Sequence, residues 1–215
     1  MINLETTLSS MTDLQFGNRE PDFIFALRTS VLSSLQNLEC NGKLSRLLAP
    51  FTCKRLPARD VLYPLLQLAH GHVWSIHMQA LYKIDELEAE GKLDQFKTVP
   101  STYEGQVKWR DALVALVPGC GMKIASFCML IYAPMQCMLI ALDRHHLRRL
   151  GMNPNRAPIG AKYIAVEMAI MSERDEMGYS HVNLGIFSAF VWAQQRDGID
   201  AESYPSHKKL SCRWY

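Results

Sequence analysis

A tight turn between two apolar segments constrains the fold of this chain more than any other part of its sequence. The turn reads Val117-Pro118-Gly119-Cys120-Gly121, and Lys123 follows it after one intervening residue, Met122. Because glycine carries no side chain, a ligand can approach the backbone amides of such a turn, and the first turn of the next helix favours a phosphate oxygen. Asp143 follows Lys123 by twenty positions. The sequence therefore places an amine and a carboxylate near a turn suited to phosphate.

Apolar residues recur at helical spacing along most of the chain, and no segment alternates apolar and polar residues long enough to indicate a sheet. We therefore predict an all-α fold. With 215 residues, 48% of them hydrophobic, the chain can form one domain or two small lobes with a cleft between them. We predict a helical domain at 21–198, an N-terminal extension at 1–20, and a tail at 199–215 docked on the body.

Prolines, glycines and capping residues set the expected limits of the helices. We predict helices from Pro21 to Asn41, at 44–48, from Pro57 with a bend or break at Pro64, and through His77, Leu81 and Ile84 to Gly91, then a linker at 92–104. After the turn we predict a helix capped by Asp143 and stopped at Gly151, one at about 160–171, and one capped by Ser180 and ending at Asp197.

The turn, Lys123 and Asp143 together resemble the helix-hairpin-helix (HhH-GPD) family of DNA glycosylases, which includes endonuclease III and the 8-oxoguanine glycosylases. In that family a Gly-x-Gly-x-Lys hairpin supplies a lysine, and an aspartate follows near twenty residues later at the start of another helix. The likeness is sharp over about 109–151. It implies a two-lobed helical glycosylase fold, with the helix-hairpin-helix at about 106–133 and no iron–sulfur cluster, because only Cys212 lies beyond Asp143.

The resemblance implies a DNA N-glycosylase with associated AP (β-elimination) lyase activity, acting as a monomer on double-stranded DNA that carries a damaged or modified base. Lys123 would attack C1′ and form an imine, and Asp143 would stabilise the positive charge that develops on the sugar. The helix N-terminus and partial burial would lower the pKa of Lys123. The resemblance implies neither a metal nor an organic cofactor.

DNA contacts are expected on both sides of this pair. The residues implied are Pro118, Gly119, Cys120, Gly121, Arg144 and His145. His145 matches a histidine common in the family, whereas Arg144 stands where a small or apolar residue is usual. Arg148, Arg149 and Arg156 extend a basic cluster, although any one of these arginines could instead lie on a solvated helix face.

A flipped base needs a ring or an apolar surface against which to stack. Phe187 and Trp192, both on the last helix, are candidates for that pocket, and Phe187 could instead be a core residue.

Two other functions share these residues. A base-hypermodifying enzyme on the same fold, similar to the phage α-glutamyl/putrescinyl thymine pyrophosphorylases, would use Asp143 while the glycosidic bond survives. A non-catalytic DNA-binding protein would keep the hairpin and use Lys123 only to contact a phosphate.

Composition sets the remaining expectations. Six cysteines form no Cys-x-x-Cys pair, so we predict reduced thiols and a cytoplasmic or nuclear location. We predict no metal site at His70, His72 and His77, because no carboxylate or cysteine completes one at a familiar spacing. Residues 124–142 carry no charge over nineteen positions and approach the length of a membrane span. Pro134 and Gln136 interrupt them, which favours a buried helix and a loop over membrane insertion.

Overall fold

A computed structural model of the protein describes residues 22–33, 55–70 and 75–197, with side chains described except at 68–70 and 192–197. Over these residues the chain forms eight α-helices and no strand, which confirms the predicted all-α fold class. The helices are α1 Phe23–Leu32, α2 Arg59–His70, α3 Ser75–Ala89, α4 Tyr103–Leu116, α5 Met122–Tyr132, α6 Arg144–Arg149, α7 Ala161–Glu176 and α8 Leu184–Asp197.

The first three helices begin close to their expected signals, but α1 ends at Leu32 and not at the predicted Asn41. Asp22 caps α1, and its Oδ1 accepts a hydrogen bond of 2.8 Å from the amide of Ile24. Helix α2 continues through Pro64 without dividing. Helix α3 ends at Ala89, just before Gly91, whose φ of 68° suits a glycine. The predictions for 1–20, 34–54 and 199–215, including the helix at 44–48, lie outside the described residues.

Two further expected boundaries are wrong, and one expected linker is partly ordered. Helix α7 continues to Glu176. Helix α8 begins at Leu184, because Asn183 and not Ser180 supplies the capping oxygen, with a bond of 2.9 Å from the amide of Gly185. The linker at 92–104 contains a 3-10 helix, Asp94–Phe96, because the ring of Phe96 packs into the core.

The core consists of three hydrophobic clusters. One packs α1, α3, α4 and α5 together, a second packs α7 and α8, and a third joins α1, α2 and α3. The segment 133–142, which we call the connector, crosses from the first cluster at Leu139 to the second at Ile140. It leads directly to Asp143 and fixes where that residue emerges.

The connector is half-buried and contains no helix or strand, so side chains supply several of the hydrogen bonds to its backbone. Gln106 donates to the carbonyl of Gln136 at 2.7 Å and accepts from the amide of Met138 at 2.7 Å. The hydroxyl of Tyr163 donates to the carbonyl of Ile140 at 2.7 Å and accepts from the amide of Leu142 at 3.0 Å. Helices α4 and α7 thus hold the connector from two sides.

A buried ion pair completes this arrangement. Nη1 of Arg110 on α4 donates to both carboxylate oxygens of Glu167 on α7 at 2.7 Å, and neither side chain is exposed. Glu167 also accepts bonds from the amide of Ile140 at 2.9 Å and from the hydroxyl of Tyr103 at 3.0 Å. The guanidinium carbon of Arg110 lies 4.9 Å from the centre of the Tyr163 ring. One carboxylate therefore ties α4, α7 and the connector together.

The expectation of a buried helix followed by a loop at 124–142 is confirmed, since α5 ends at Tyr132 and the connector follows. The described helices include none that is both long and apolar enough to cross a membrane.

We predict that Glu167→Gln lowers the free energy of unfolding by about 3–5 kcal/mol, because it leaves the buried charge of Arg110 without its counter-charge. The glutamine retains an acceptor for the amide of Ile140. Tyr103→Phe is the matched control, since it removes only one hydrogen bond to the same carboxylate and should cost about 1 kcal/mol. Urea unfolding of both variants measures the difference, and equal costs would contradict the importance of the ion pair.

Candidate active site

The two glycines of the turn at 117–121 have different structural roles. Gly119 has a φ of 73°, and a Cβ there would lie 2.8 Å from Cγ1 of Ile76 on α3, so this position requires glycine. Gly121 is the N-cap of α5, and a Cβ there would meet nothing within 4 Å. Gly119 therefore packs the turn against α3, whereas Gly121 leaves the start of α5 open to a ligand.

The two other residues of the turn also differ in exposure. Pro118 is exposed, whereas the side chain of Cys120 is buried in the core. Burial raises the pKa of the Cys120 thiol to about 12. Cys120 can therefore offer a ligand its backbone but not a thiolate.

Lys123 lies in the first turn of α5 and is half-buried. Burial lowers the pKa of its amine, the negative charge of Asp143 opposes that shift, and the positive charge of Arg144 adds to it. The three side chains are thus close enough for their charges to act on one another. A lowered pKa increases the fraction of neutral amine, which is the nucleophilic form.

Asp143 caps α6, as the sequence predicts. Its Oδ1 accepts hydrogen bonds from the amides of His145 at 2.9 Å and His146 at 3.2 Å. Burial would raise the pKa of this carboxyl, but the hydrogen bonds and charge of His146, together with the charge of Lys123, outweigh it and bring the pKa to about 2. Asp143 is therefore ionised at neutral pH although its side chain is only 14% exposed.

His146 is a component of the site that the sequence did not reveal. Its Nδ1 lies 3.0 Å from Oδ1 of Asp143, and its Nε2 lies 3.0 Å from the hydroxyl of Ser188 on α8. The signal available in the sequence was its position three residues after the capping aspartate, where a side chain often bonds back to the cap. That position usually holds Glu or Gln, so a histidine there is a weaker signal of a capping interaction.

The basic cluster is smaller than the sequence suggests. Arg144, Arg148 and Arg156 are exposed, whereas Arg149 forms an ion pair with Glu173 on α7 through two contacts, one of 2.6 Å. His145 is half-buried, and burial is the largest cause of its lowered pKa, with Asp143 opposing. Three exposed arginines therefore remain near the start and end of α6.

The two candidates for a base pocket differ. Phe187 is 1% exposed and packs in the second cluster, with its ring centre 6.2 Å from that of Tyr179, which favours the core role. The side chain of Trp192 lies outside the described residues.

The described residues contain no group of three His, Cys, Asp or Glu side chains that could hold a metal ion. His77 is buried, while His72 and the side chain of His70 lie outside the described residues. The described cysteines, Cys120, Cys128 and Cys137, are buried thiols.

Comparisons with protein-family models, with curated proteins and with solved structures found no match to this chain. What the fold and the side chains define is an all-helical protein with an amine and an ionised carboxylate beside an open glycine turn. Any assignment of chemistry depends on those residues.

We predict that Asp143→Asn lowers the free energy of unfolding by roughly 1–2 kcal/mol at neutral pH. Asparagine caps a helix as well as aspartate does, so the loss measures the charge. Because the folded pKa of about 2 lies below the ordinary value of 3.8, this stabilisation is present above pH 4 and is lost as the pH falls toward 2. Urea unfolding should show the difference in free energy of unfolding between wild type and variant narrowing from about pH 4 toward pH 2. A difference that does not change with pH would contradict the assignment.

Proposed function

We propose that this protein is a DNA N-glycosylase with associated AP lyase activity, which removes a damaged or modified base from double-stranded DNA. The observation that carries the proposal is a half-buried lysine amine with a lowered pKa, influenced by an ionised aspartate. A lysine that served only to contact phosphate would gain from full exposure and full charge. Burial beside a carboxylate instead favours chemistry on an electrophile.

Lys123 supplies the nucleophile. The lone pair of its neutral Nζ forms a bond to C1′ of the deoxyribose while the bond from C1′ to the base breaks, and the base leaves with that electron pair and takes up a proton. Nζ then loses a proton and the bond from C1′ to the ring oxygen O4′ breaks, with O4′ taking up a proton, which gives a protonated imine between Lys123 and C1′. Loss of a proton from C2′ expels the 3′ phosphate, which cuts the strand.

Asp143 stabilises the sugar as the base departs. Positive charge develops on the deoxyribose, and an ionised carboxylate that is already in place lowers the energy of that state without reorganising. With a pKa of about 2, Asp143 is a weak base at neutral pH. Its role in the proposed reaction is therefore electrostatic, and it does not serve to remove the proton from Lys123.

The exposed surface around the pair suits the DNA backbone. The base must leave the duplex to reach Lys123, so the enzyme must bind a distorted backbone. The amides at the start of α5 lie behind Gly121, where no side chain blocks a phosphate. The exposed guanidinium groups of Arg144 and Arg148 add positive charge beside Asp143. We propose that a monomer works in this way in the cytoplasm or nucleus, where buried thiols stay reduced.

The test is borohydride trapping on duplexes that carry 8-oxoguanine, an oxidised pyrimidine, uracil or an abasic site. Borohydride reduces the imine to a stable amine, so wild type should form a covalent protein–DNA adduct with at least the abasic duplex. Lys123→Gln should form none. Lys108→Gln is the matched control, because Lys108 is an exposed lysine on α4, the helix that precedes the turn. Its adduct yield should equal that of wild type.

Adducts that persist in Lys123→Gln would assign the nucleophile to another amine. No adduct on any duplex would remove the lyase activity. Release of free base in that case would indicate a glycosylase that uses water, and a retained nucleoside of changed mass would indicate a base-modifying enzyme. Binding to the duplex with neither release of free base nor a change in nucleoside mass would indicate a non-catalytic DNA-binding protein.

A further inference from the structure

His146 links Asp143 to a helix that is distant in sequence. Its side chain is 3% exposed, and both ring nitrogens have partners. Nδ1 lies 3.0 Å from Oδ1 of Asp143, while Nε2 lies 3.0 Å from the hydroxyl and 3.1 Å from the carbonyl oxygen of Ser188. The chain Asp143, His146, Ser188 therefore runs from the site into α8.

The chemistry of the partners decides which nitrogen carries hydrogen. An ionised carboxylate only accepts, so Nδ1 must carry a hydrogen that it donates to Asp143. The amide of Asp143 also lies 3.5 Å from Nδ1. That amide could donate a hydrogen bond only to an Nδ1 without a hydrogen. Because the contact with the carboxylate is shorter, we assign the hydrogen to Nδ1. Nε2 can be satisfied in two ways, because the hydroxyl of Ser188 donates to a bare nitrogen and its carbonyl accepts from a protonated one.

Ser188 thus lets the ring keep its bond to Asp143 whether the imidazole is neutral or charged. The charged and titratable groups that act on Asp143 are Lys123 from α5 and His145 and His146 from α6. His146 forms a side-chain hydrogen bond with Asp143. A glutamate in its place would set a second negative charge against the carboxylate, and an apolar residue would remove this hydrogen-bond donor from Oδ1.

We propose that His146 is the positioning residue of the site: it fixes the orientation and the ionised state of the Asp143 carboxylate, and Ser188 holds it in place from α8. This inference rests on the proposed function for its catalytic consequence. The contact itself can be tested without DNA.

Three substitutions of His146 test the contacts of its two ring nitrogens separately. In His146→Asn the amide nitrogen takes the place of Nδ1, so the donor to Asp143 remains while the contact with Ser188 is lost. His146→Gln places its amide near Nε2, so it keeps the contact with Ser188 and loses the donor. His146→Leu loses both.

The first readout is the pKa of the Asp143 carboxyl, measured by carbon NMR on the DNA-free protein. We expect it to rise from about 2 toward the ordinary 3.8 in His146→Gln and His146→Leu, and to stay low in His146→Asn. The second readout is the single-turnover rate of borohydride-trapped adduct with an abasic-site duplex, where the same two variants should lose roughly 10- to 100-fold. His146→Asn should stay within a few fold of wild type.

A purely structural role predicts a different pattern, in which adduct rate follows the loss of stability and His146→Asn and His146→Leu are equally impaired. That result, or a pKa of Asp143 that stays near 2 in His146→Leu, would overturn the proposal. If the wild type forms no adduct, the proposed function fails, while the titration still decides the contact: a rise in His146→Leu supports it and an unchanged pKa overturns it.

Discussion

The buried ion pair between Arg110 and Glu167 is the interaction on which the rest of the structure depends. A charge in the interior is costly unless it is paired and hydrogen-bonded, so Arg110 fixes where Glu167 must lie. Because the same carboxylate accepts the amide of Ile140, the pair also fixes the connector between α4 and α7. The connector ends at Asp143. The place of a candidate functional residue is thus determined by a salt bridge that itself contacts no solvent.

The site forms where two hydrophobic clusters meet. Lys123 comes from α5, whose buried face belongs to the first cluster, and Asp143 follows directly on Leu142 of the second. Neither residue could be half-buried in an isolated helix, because each helix would expose it to water. The lowered pKa of Lys123 and the low pKa of Asp143 are therefore consequences of tertiary packing. His146 on α6 contributes a hydrogen bond to the Asp143 carboxylate.

The parts of the fold that the sequence predicts are those set by neighbours along the chain. Asp143 as a cap and Gly91 as a stop depend on the backbone within a few residues, and both predictions are confirmed. The prediction that Ser180 caps α8 is wrong, because Asn183, another residue with a capping oxygen, lies three positions later and caps the helix. The roles of Glu167 and His146 could not be predicted, because their partners Arg110 and Ser188 lie 57 and 42 positions away. Residue type alone does not pair such distant groups.

The pKa of Lys123 tests most directly whether a half-buried amine lies within the electrostatic influence of an ionised carboxylate. NMR titration of selectively labelled lysine should be carried out on wild type and on Asp143→Asn, with Lys123→Gln to assign the signal. We predict a pKa below the ordinary 10.5 in wild type and a lower one in Asp143→Asn, because the charge of Asp143 favours the ammonium. A pKa of 10.5 that does not change in Asp143→Asn would show an exposed, isolated lysine and would contradict the account.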